Sequence, residues 1–257
     1  MRLTSSHFLS RDIIENAEDE SKRKHFQVCS FVLFLALLKI MLTKLNTNKI
    51  ILMLIWEEND NDYEYLYYLF NFGIQMFEGE EANRIAQDNL KNFFQNPETE
   101  KFFLKVNNLL QNEIARNLNQ QKIQKPKYSK LIFAILRFLQ LNCEGHYSPL
   151  QNYLRYQIYS KYSYNLVILI GNLLCSYEID DNNYKNAFQC FDTLTEFIQG
   201  PCKENQITVS NSKVVEHAAL ILSVIALFYW IFFLYDSPIF NLCRKTRTLW
   251  RAFPGKK

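Results

Sequence analysis

The sequence predicts an all-α protein, built as an armadillo-like helical solenoid or bundle of about seven to nine helices. Only 6 of its 257 residues are Gly and 6 are Pro, whereas average usage would give roughly 18 and 13. Scarce Gly and Pro leave few tight turns, which disfavours sandwiches, barrels and propellers. Apolar residues also recur three and four positions apart, as they do along 102–114, and this spacing is typical of amphipathic helices.

Helix boundaries follow from local signals. Asn96-Pro97 and Ser148-Pro149 predict helix starts, because Asn and Ser cap free N–H groups and Pro suits the first helical position. Gly200-Pro201 predicts a stop, because Gly accepts a left-handed cap and Pro prevents continuation. The run 49–56 fits either a helix or a strand. The other predicted helices lie at 25–45, 63–77, 80–94, 131–143, 163–177, 183–199 and from about residue 212, with a polar linker at 119–127.

The net charge of +3 is unevenly distributed along the sequence, between a body with a net negative charge and a basic tail. Six basic residues and no acidic ones follow residue 236, which leaves 23 basic and 26 acidic residues in the body. A body with a net charge of −3 and no visible basic face disfavours nucleic acid as a partner. The sequence has no Gly-rich phosphate loop and no Ser-His-Asp or Cys-His signature, so we expect no enzyme.

Metal chemistry has few candidates in the sequence. Cys143 and His146 have the spacing of half a zinc site, but no second pair completes it. The six cysteines lack paired spacing and are expected to be free thiols in a reducing compartment. Glu144 and Glu196 each lie near the end of an apolar helix, with His146 and Gln199 close by in sequence. If the two helix ends converge, these carboxylates would begin a hard-cation site; ordinary caps or exposed helix ends are the alternative.

Two stretches, 138–157 and 194–206, resemble the RIH-associated domain of the inositol trisphosphate receptors and ryanodine receptors. The first reads LQ-x2-CE-x-H and then LQN-x-LR-x-Q, and the second reads LTE-x2-QGPC-x2-NQ. The resemblance covers about 70–225. It leaves a polar segment at 1–24, a helical lead-in at 25–69 and a divergent end at 226–257. The motif residues to which we assign structural roles are Phe138, Leu139, Cys143, Gln151, Asn152, Leu154, Arg155, Asn165, Thr195, Gly200, Pro201, Cys202, Asn205 and Gln206.

The resemblance implies a non-catalytic cytosolic module of an intracellular calcium-release channel, which couples calcium to the pore within a larger assembly. Glu144 and Glu196 match the family's calcium ligands, and His146 and Gln199 match positions that support them. The family's further ligand is a backbone carbonyl from a domain beyond the pore, for which we find no counterpart here. We therefore expect weak Ca²⁺ binding, no tightly bound cofactor, and other channel domains or subunits as partners. The alternative is a stand-alone helical scaffold that kept the fold without channel function.

Residues 218–235 form an 18-residue run without charge, followed by the basic flank RKTRTLWR. This run is just long enough for a single transmembrane helix, and it fits a last packed helix equally well. A basic flank favours a cytosolic C-terminus, so a single span would place the domain in the lumen. The family domain lies instead at the cytoplasmic face of an endoplasmic reticulum-like membrane. A divergent end of the chain is the other explanation.

Overall fold

The computed structural model describes residues 41, 47–59, 61–77, 80–119, 126–178 and 183–231. These residues contain ten α-helices and no strand, which confirms the predicted all-α class. The expected helix at 25–45 lies, apart from residue 41, outside the described residues, as do the polar segment 1–24 and the basic tail. The helices are α1 Thr47–Glu57, α2 Tyr63–Phe77, α3 Glu80–Phe93, α4 Glu100–Leu118, α5 Pro126–Cys143, α6 Ser148–Arg155, α7 Leu166–Ser176, α8 Tyr184–Ile198, α9 Lys203–Ser210 and α10 Val214–Ile231, with a 3₁₀ turn at Pro97–Thr99.

The signals at Asn96-Pro97 and Gly200-Pro201 act as expected. A helix also begins at Ser148-Pro149, but Ser148 is its first residue and not its cap: Tyr147 is the N-cap residue and makes no side-chain capping bond. Asn96 Oδ1 accepts a hydrogen bond from the Glu98 N–H at 3.0 Å, and Pro97 begins the 3₁₀ turn that leads into α4. Asn165 caps α7 in the same way through the Ile168 N–H at 3.1 Å, so this helix starts later than the sequence predicted. The ambiguous run at 49–56 is helical. The short helix α9, which the sequence did not predict, follows the Gly200 stop directly.

Helix α5 is the centre of the core, and it packs most extensively against α2 and α8. Phe138 on α5 is 1% exposed, and its ring lies between 5.6 and 6.2 Å from the rings of Phe70, Phe77 and Phe102. Gly73 on α2 permits this close packing, because a Cβ atom there would lie 2.9 Å from Phe138 Cε2. These four aromatic residues therefore form part of the core.

Helices α5 and α8 run parallel, with side-chain hydrogen bonds between them. Asn186 Nδ2 donates to Ser129 Oγ at 3.1 Å, and Thr193 Oγ1 donates to the Leu136 carbonyl at 3.1 Å. Both bonds join residues 57 positions apart in the chain, so the two helices ascend in the same direction. The C-terminus of α5 and the C-terminus of α8 consequently lie at the same end of the domain.

None of the helices formed by the described residues is long and apolar enough to cross a membrane. Of the run 218–235, residues 218–231 belong to α10, and residues 232–235 lie outside the described part.

Replacing Phe138 by Ala is expected to lower the free energy of unfolding by about 3–5 kcal/mol, because it leaves a cavity among three buried rings. The matched control is Phe133→Ala on the same helix, where the ring is 39% exposed and the expected loss is below about 1 kcal/mol. Urea unfolding followed by circular dichroism measures both values. Equal losses for the two variants would contradict the central position of Phe138.

Candidate metal centre

The chain leaves both parallel helices through left-handed backbone. Gly145 and His146 follow α5 with φ of 70° and 61°, and Gly200 follows α8 with φ of 81°. A Cβ atom at Gly200 would lie 3.1 Å from His146 Cβ and 3.2 Å from its Cγ. Glycine suits position 200 for two reasons. The backbone there is left-handed, and the His146 side chain occupies the space that a Cβ atom would need. We call residues 144–147 the α5 turn and residues 199–202 the α8 turn; the two turns are in contact.

Helix α3 holds the α5 turn through amide side chains. Gln87, 2% exposed, donates from Nε2 to the carbonyl oxygens of Leu141 at 3.1 Å and Glu144 at 2.9 Å. The last carbonyls of a helix have no partner within the helix, so Gln87 caps the C-terminus of α5. Asn83, one turn earlier on α3, donates from Nδ2 to Glu144 Oε2 at 3.0 Å. These bonds fix both the backbone and the carboxylate of Glu144.

Tyr147 anchors the end of the α5 turn on the same helix. Its hydroxyl donates to Asp88 Oδ1 at 2.6 Å, and the Arg84 guanidinium lies 4.5 Å from the ring centroid. Burial and the hydrogen bond to Asp88 both raise the pKa of Tyr147, so it remains a proton donor at all physiological pH values. Helix α3 thus contacts the turn at both ends.

Three amide side chains cap the C-terminus of α8. Gln151, Asn205 and Gln206 are buried, and each donates two hydrogen bonds from its side-chain nitrogen. The four unpaired carbonyls of a helix end would cost free energy if they were buried without donors. The accepting carbonyls belong to Glu196 and Gln199 for Gln151, to Phe197 and Gln151 for Asn205, and to Ile198 and Gly200 for Gln206.

Neighbouring motif residues support this cap. Arg155 Nε donates to Asn205 Oδ1 at 2.9 Å, which orients the Asn205 amide so that its nitrogen faces the carbonyls. Cys202 Sγ lies 3.7 Å from Asn152 Oδ1 and joins the α8 turn to α6. Thr195 Oγ1 bonds back to the Phe191 carbonyl within α8. Leu139, Cys143 and Leu154 are fully buried in the core, and Pro201 is exposed.

The carboxylates of Glu144 and Glu196 interact electrostatically across the two turns. Burial, and then the charge of Glu144, raise the pKa of Glu196 to about 7; Asp192 raises this pKa further and Arg137 opposes the shift. Both carboxylates are partly buried. Each also sits at a helix C-terminus, where the macrodipole presents partial negative charge. The two helix ends that carry Glu144 and Glu196 therefore lie close enough for the charges of these residues to interact.

The donor set fits a hard cation. It consists of carboxylate, amide and backbone carbonyl oxygens, which are the ligands that Ca²⁺ takes. In the part of the chain that the structure describes, no group of three or more His, Cys, Asp or Glu side chains could hold a metal ion. Burial raises the pKa of the Cys143 thiol well above its usual range, which disfavours a zinc thiolate. The role of Glu144 and Glu196 as calcium ligands, with support from His146 and Gln199, stays a prediction.

The structure adds roles that the sequence did not reveal. The sequence marked Gln151, Asn205 and Gln206 as motif residues without a function, and their capping bonds supply one. Asn83 and Gln87 were not singled out at all. Their spacing of four residues on one face of α3 was the available signal, but a polar pair of this kind is more often solvated.

These features define an all-α module in which two parallel helices, each with a glutamate near its C-terminus, end in turns that contact each other. Residues 126–222 match the family described as "RyR and IP3R Homology associated". The chain is also 41% identical to the inositol 1,4,5-trisphosphate receptor itr-1 of Caenorhabditis elegans, over 33% of this chain and 3% of the receptor. The matched residues 126–222 contain both stretches whose motifs resemble the RIH-associated domain. The chain spans only a small fraction of that relative's length.

Replacing Asn205 by Leu is expected to lower the free energy of unfolding by about 2–4 kcal/mol. The substitution removes the donor that two buried carbonyls share, and it leaves the Arg155 N–H without its acceptor. Asn211→Ala is the control, since Asn211 is exposed at the end of α9 and its loss should stay within about 0.5 kcal/mol. Urea unfolding compares the two. A loss at Asn205 no larger than at Asn211 would contradict the capping role.

Replacing Glu196 by Gln is expected to raise the melting temperature at pH 8 and to change it little at pH 5, in the absence of metal. The folded pKa of about 7 exceeds the ordinary value of 4.5, so the folded state holds this proton more tightly. The stability that Glu196 contributes is therefore full below about pH 4.5 and is lost as the pH rises through about 7. Differential scanning fluorimetry at both pH values measures the effect, with exposed Glu204→Gln as control. Identical pH profiles for wild type and Glu196→Gln would contradict the raised pKa.

Proposed function

We propose that this protein is a non-catalytic helical module of an intracellular calcium-release channel and that it senses calcium through Glu144 and Glu196. The observation that carries the proposal is the contact between the α5 and α8 turns, which brings two acidic helix ends together within the RIH-associated domain. Both turns are held by buried amide caps, so the carboxylates sit on rigid supports. Rigid placement lowers the cost of assembling a site.

The chain's own residues account for a weak, incomplete site. Ca²⁺ takes six to eight oxygen ligands, and two carboxylates supply at most four. When bound, the ion supplies positive charge that offsets the repulsion between Glu144 and Glu196. The remaining ligands would come from water and from oxygens of a neighbouring domain. A site that another domain completes couples calcium occupancy to the position of that domain, and this is the sensing role that we propose.

The proposed calcium site and the similarity to a receptor also suggest which partners the module has and where it lies in the cell. A module with two partly buried glutamates at adjacent helix ends would assemble with other domains or subunits of a channel, which supply further ligands. Its similarity to the receptor itr-1 supports placement beside an endoplasmic reticulum-like membrane, at its cytoplasmic face. We assign no enzymatic role and no nucleic-acid partner to it, in keeping with the composition of the body.

The double substitution Glu144→Gln with Glu196→Gln is expected to abolish calcium-dependent thermal stabilisation. A site that binds at about 1 mM stabilises the wild-type protein by about 1.4 kcal/mol at about 10 mM calcium, or roughly 3–6 °C. Differential scanning fluorimetry at pH 8 measures the shift, with magnesium at the same ionic strength as reference.

The matched control is Glu98→Gln with Glu216→Gln, which removes the same charge from two exposed positions outside the turns and should keep the shift. A wild-type protein that shows no calcium-dependent shift, or a double variant that retains it, would contradict the proposed site.

A further inference from the structure

We infer that Asn83 on α3 supplies a further oxygen ligand to the cation bound by Glu144 and Glu196, an inference that rests on the proposed calcium site. Helix α3 lies outside the residues that match the family, 126–222. The proposal therefore extends the site to a third helix, and it makes Asn83 a determinant of calcium affinity and not only a support of the turn.

The first observation is an unpaired oxygen beside the Glu144 carboxylate. Asn83 Nδ2 donates to Glu144 Oε2 at 3.0 Å, while Asn83 Oδ1 is buried and lacks a hydrogen-bond partner. A buried acceptor without a donor costs about 1–3 kcal/mol. An unpaired buried oxygen therefore needs an explanation, and a cation that this oxygen would contact provides one.

The second observation comes from the α8 side of the same place. Gln151 is fully buried, and its Oε1 also lacks a partner, although its Nε2 donates to the carbonyls of Glu196 and Gln199. Each of the two helix ends is thus bonded by an amide whose nitrogen donates a hydrogen bond and whose oxygen accepts none. This surplus of oxygen acceptors over donors is the composition that a cation requires.

The two amides differ in their freedom to move. A half-turn of the Gln151 amide would break two hydrogen bonds that cap α8, so its orientation is fixed. A half-turn of the Asn83 amide breaks only the bond to Glu144 and exchanges Nδ2 for Oδ1 in nearly the same space. Without a cation, the nitrogen faces the carboxylate. With a cation on that carboxylate, Oδ1 would face the ion and Nδ2 would take the position that Oδ1 now occupies.

The experiment is isothermal titration of the full chain with CaCl₂, using wild type, Asn83→Ala, Asn83→Asp and the control Asn92→Ala, an exposed asparagine of the same helix. We expect Asn83→Ala to weaken calcium binding about tenfold. Asn83→Asp should tighten it, because the variant keeps an oxygen and adds a charge. Asn92→Ala should bind as wild type. A residue that only supported the fold would not gain affinity on conversion to Asp, so this variant separates the two roles.

The outcomes separate this inference from the proposed function. If wild type binds calcium, the Glu144→Gln/Glu196→Gln variant does not, and Asn83→Ala binds as wild type, the Asn83 inference is overturned and the calcium site stands. Weaker binding by Asn83→Asp than by wild type would also overturn it. No binding by wild type overturns both. If Asn83→Ala fails to fold, as judged by circular dichroism without calcium, the direction of the Asn83→Asp change decides.

Discussion

The parallel pairing of α5 and α8 is the constraint on which the rest of the structure depends. Two hydrogen bonds, from Asn186 to Ser129 and from Thr193 to Leu136, join the helices with the same offset of 57 residues. Strict alternation of antiparallel helices through α6 and α7 would make α5 and α8 antiparallel. The pair is nevertheless parallel, with the short helix α6, the non-helical segment 156–165 and α7 between the two helices. Parallel alignment places both C-termini at one end of the domain. There the His146 side chain packs against the Gly200 backbone.

Two C-termini in contact create an electrostatic problem that the chain resolves only in part. Carbonyl oxygens and partial negative charge accumulate there. Amide donors from α3, α6 and α9 pair with the carbonyls, through Gln87, Gln151, Asn205 and Gln206. The carboxylates of Glu144 and Glu196 add negative charge at the same place. Burial and the charge of Glu144 disfavour the ionised form of Glu196, and its pKa is therefore raised. The caps stabilise the fold, whereas the surplus oxygens favour a cation, so stability and the proposed function come from one arrangement.

The sequence predicted the fold class and the helix boundaries at Asn96-Pro97 and Gly200 because these depend on local rules and on overall composition. Asn96-Pro97 and Gly200 act within a few residues of themselves, and Gly and Pro scarcity is a property of the whole chain. Helix α9 was not predicted because it is short and has polar residues on most sides, with Asn205 and Gln206 turned inward as caps. The roles of Asn83 and Gln87 arise from bonds between residues 54 to 61 positions apart, for which spacing gives no signal. The motif resemblance pointed to Glu144 and Glu196, but only the helix pairing shows why they meet.

The coupling between the two carboxylates is the most direct test of this account. Carbon-13 NMR of the Glu196 carboxyl group, titrated with pH in wild type and in Glu144→Gln, measures it without metal or partner. The account predicts a midpoint of about 7 in wild type and a clearly lower midpoint in Glu144→Gln, since the neighbouring charge is gone. Added calcium should lower the wild-type midpoint as well. Equal midpoints in the two proteins, both near the ordinary value of a glutamate, would show that Glu144 and Glu196 do not interact and would contradict the central claim.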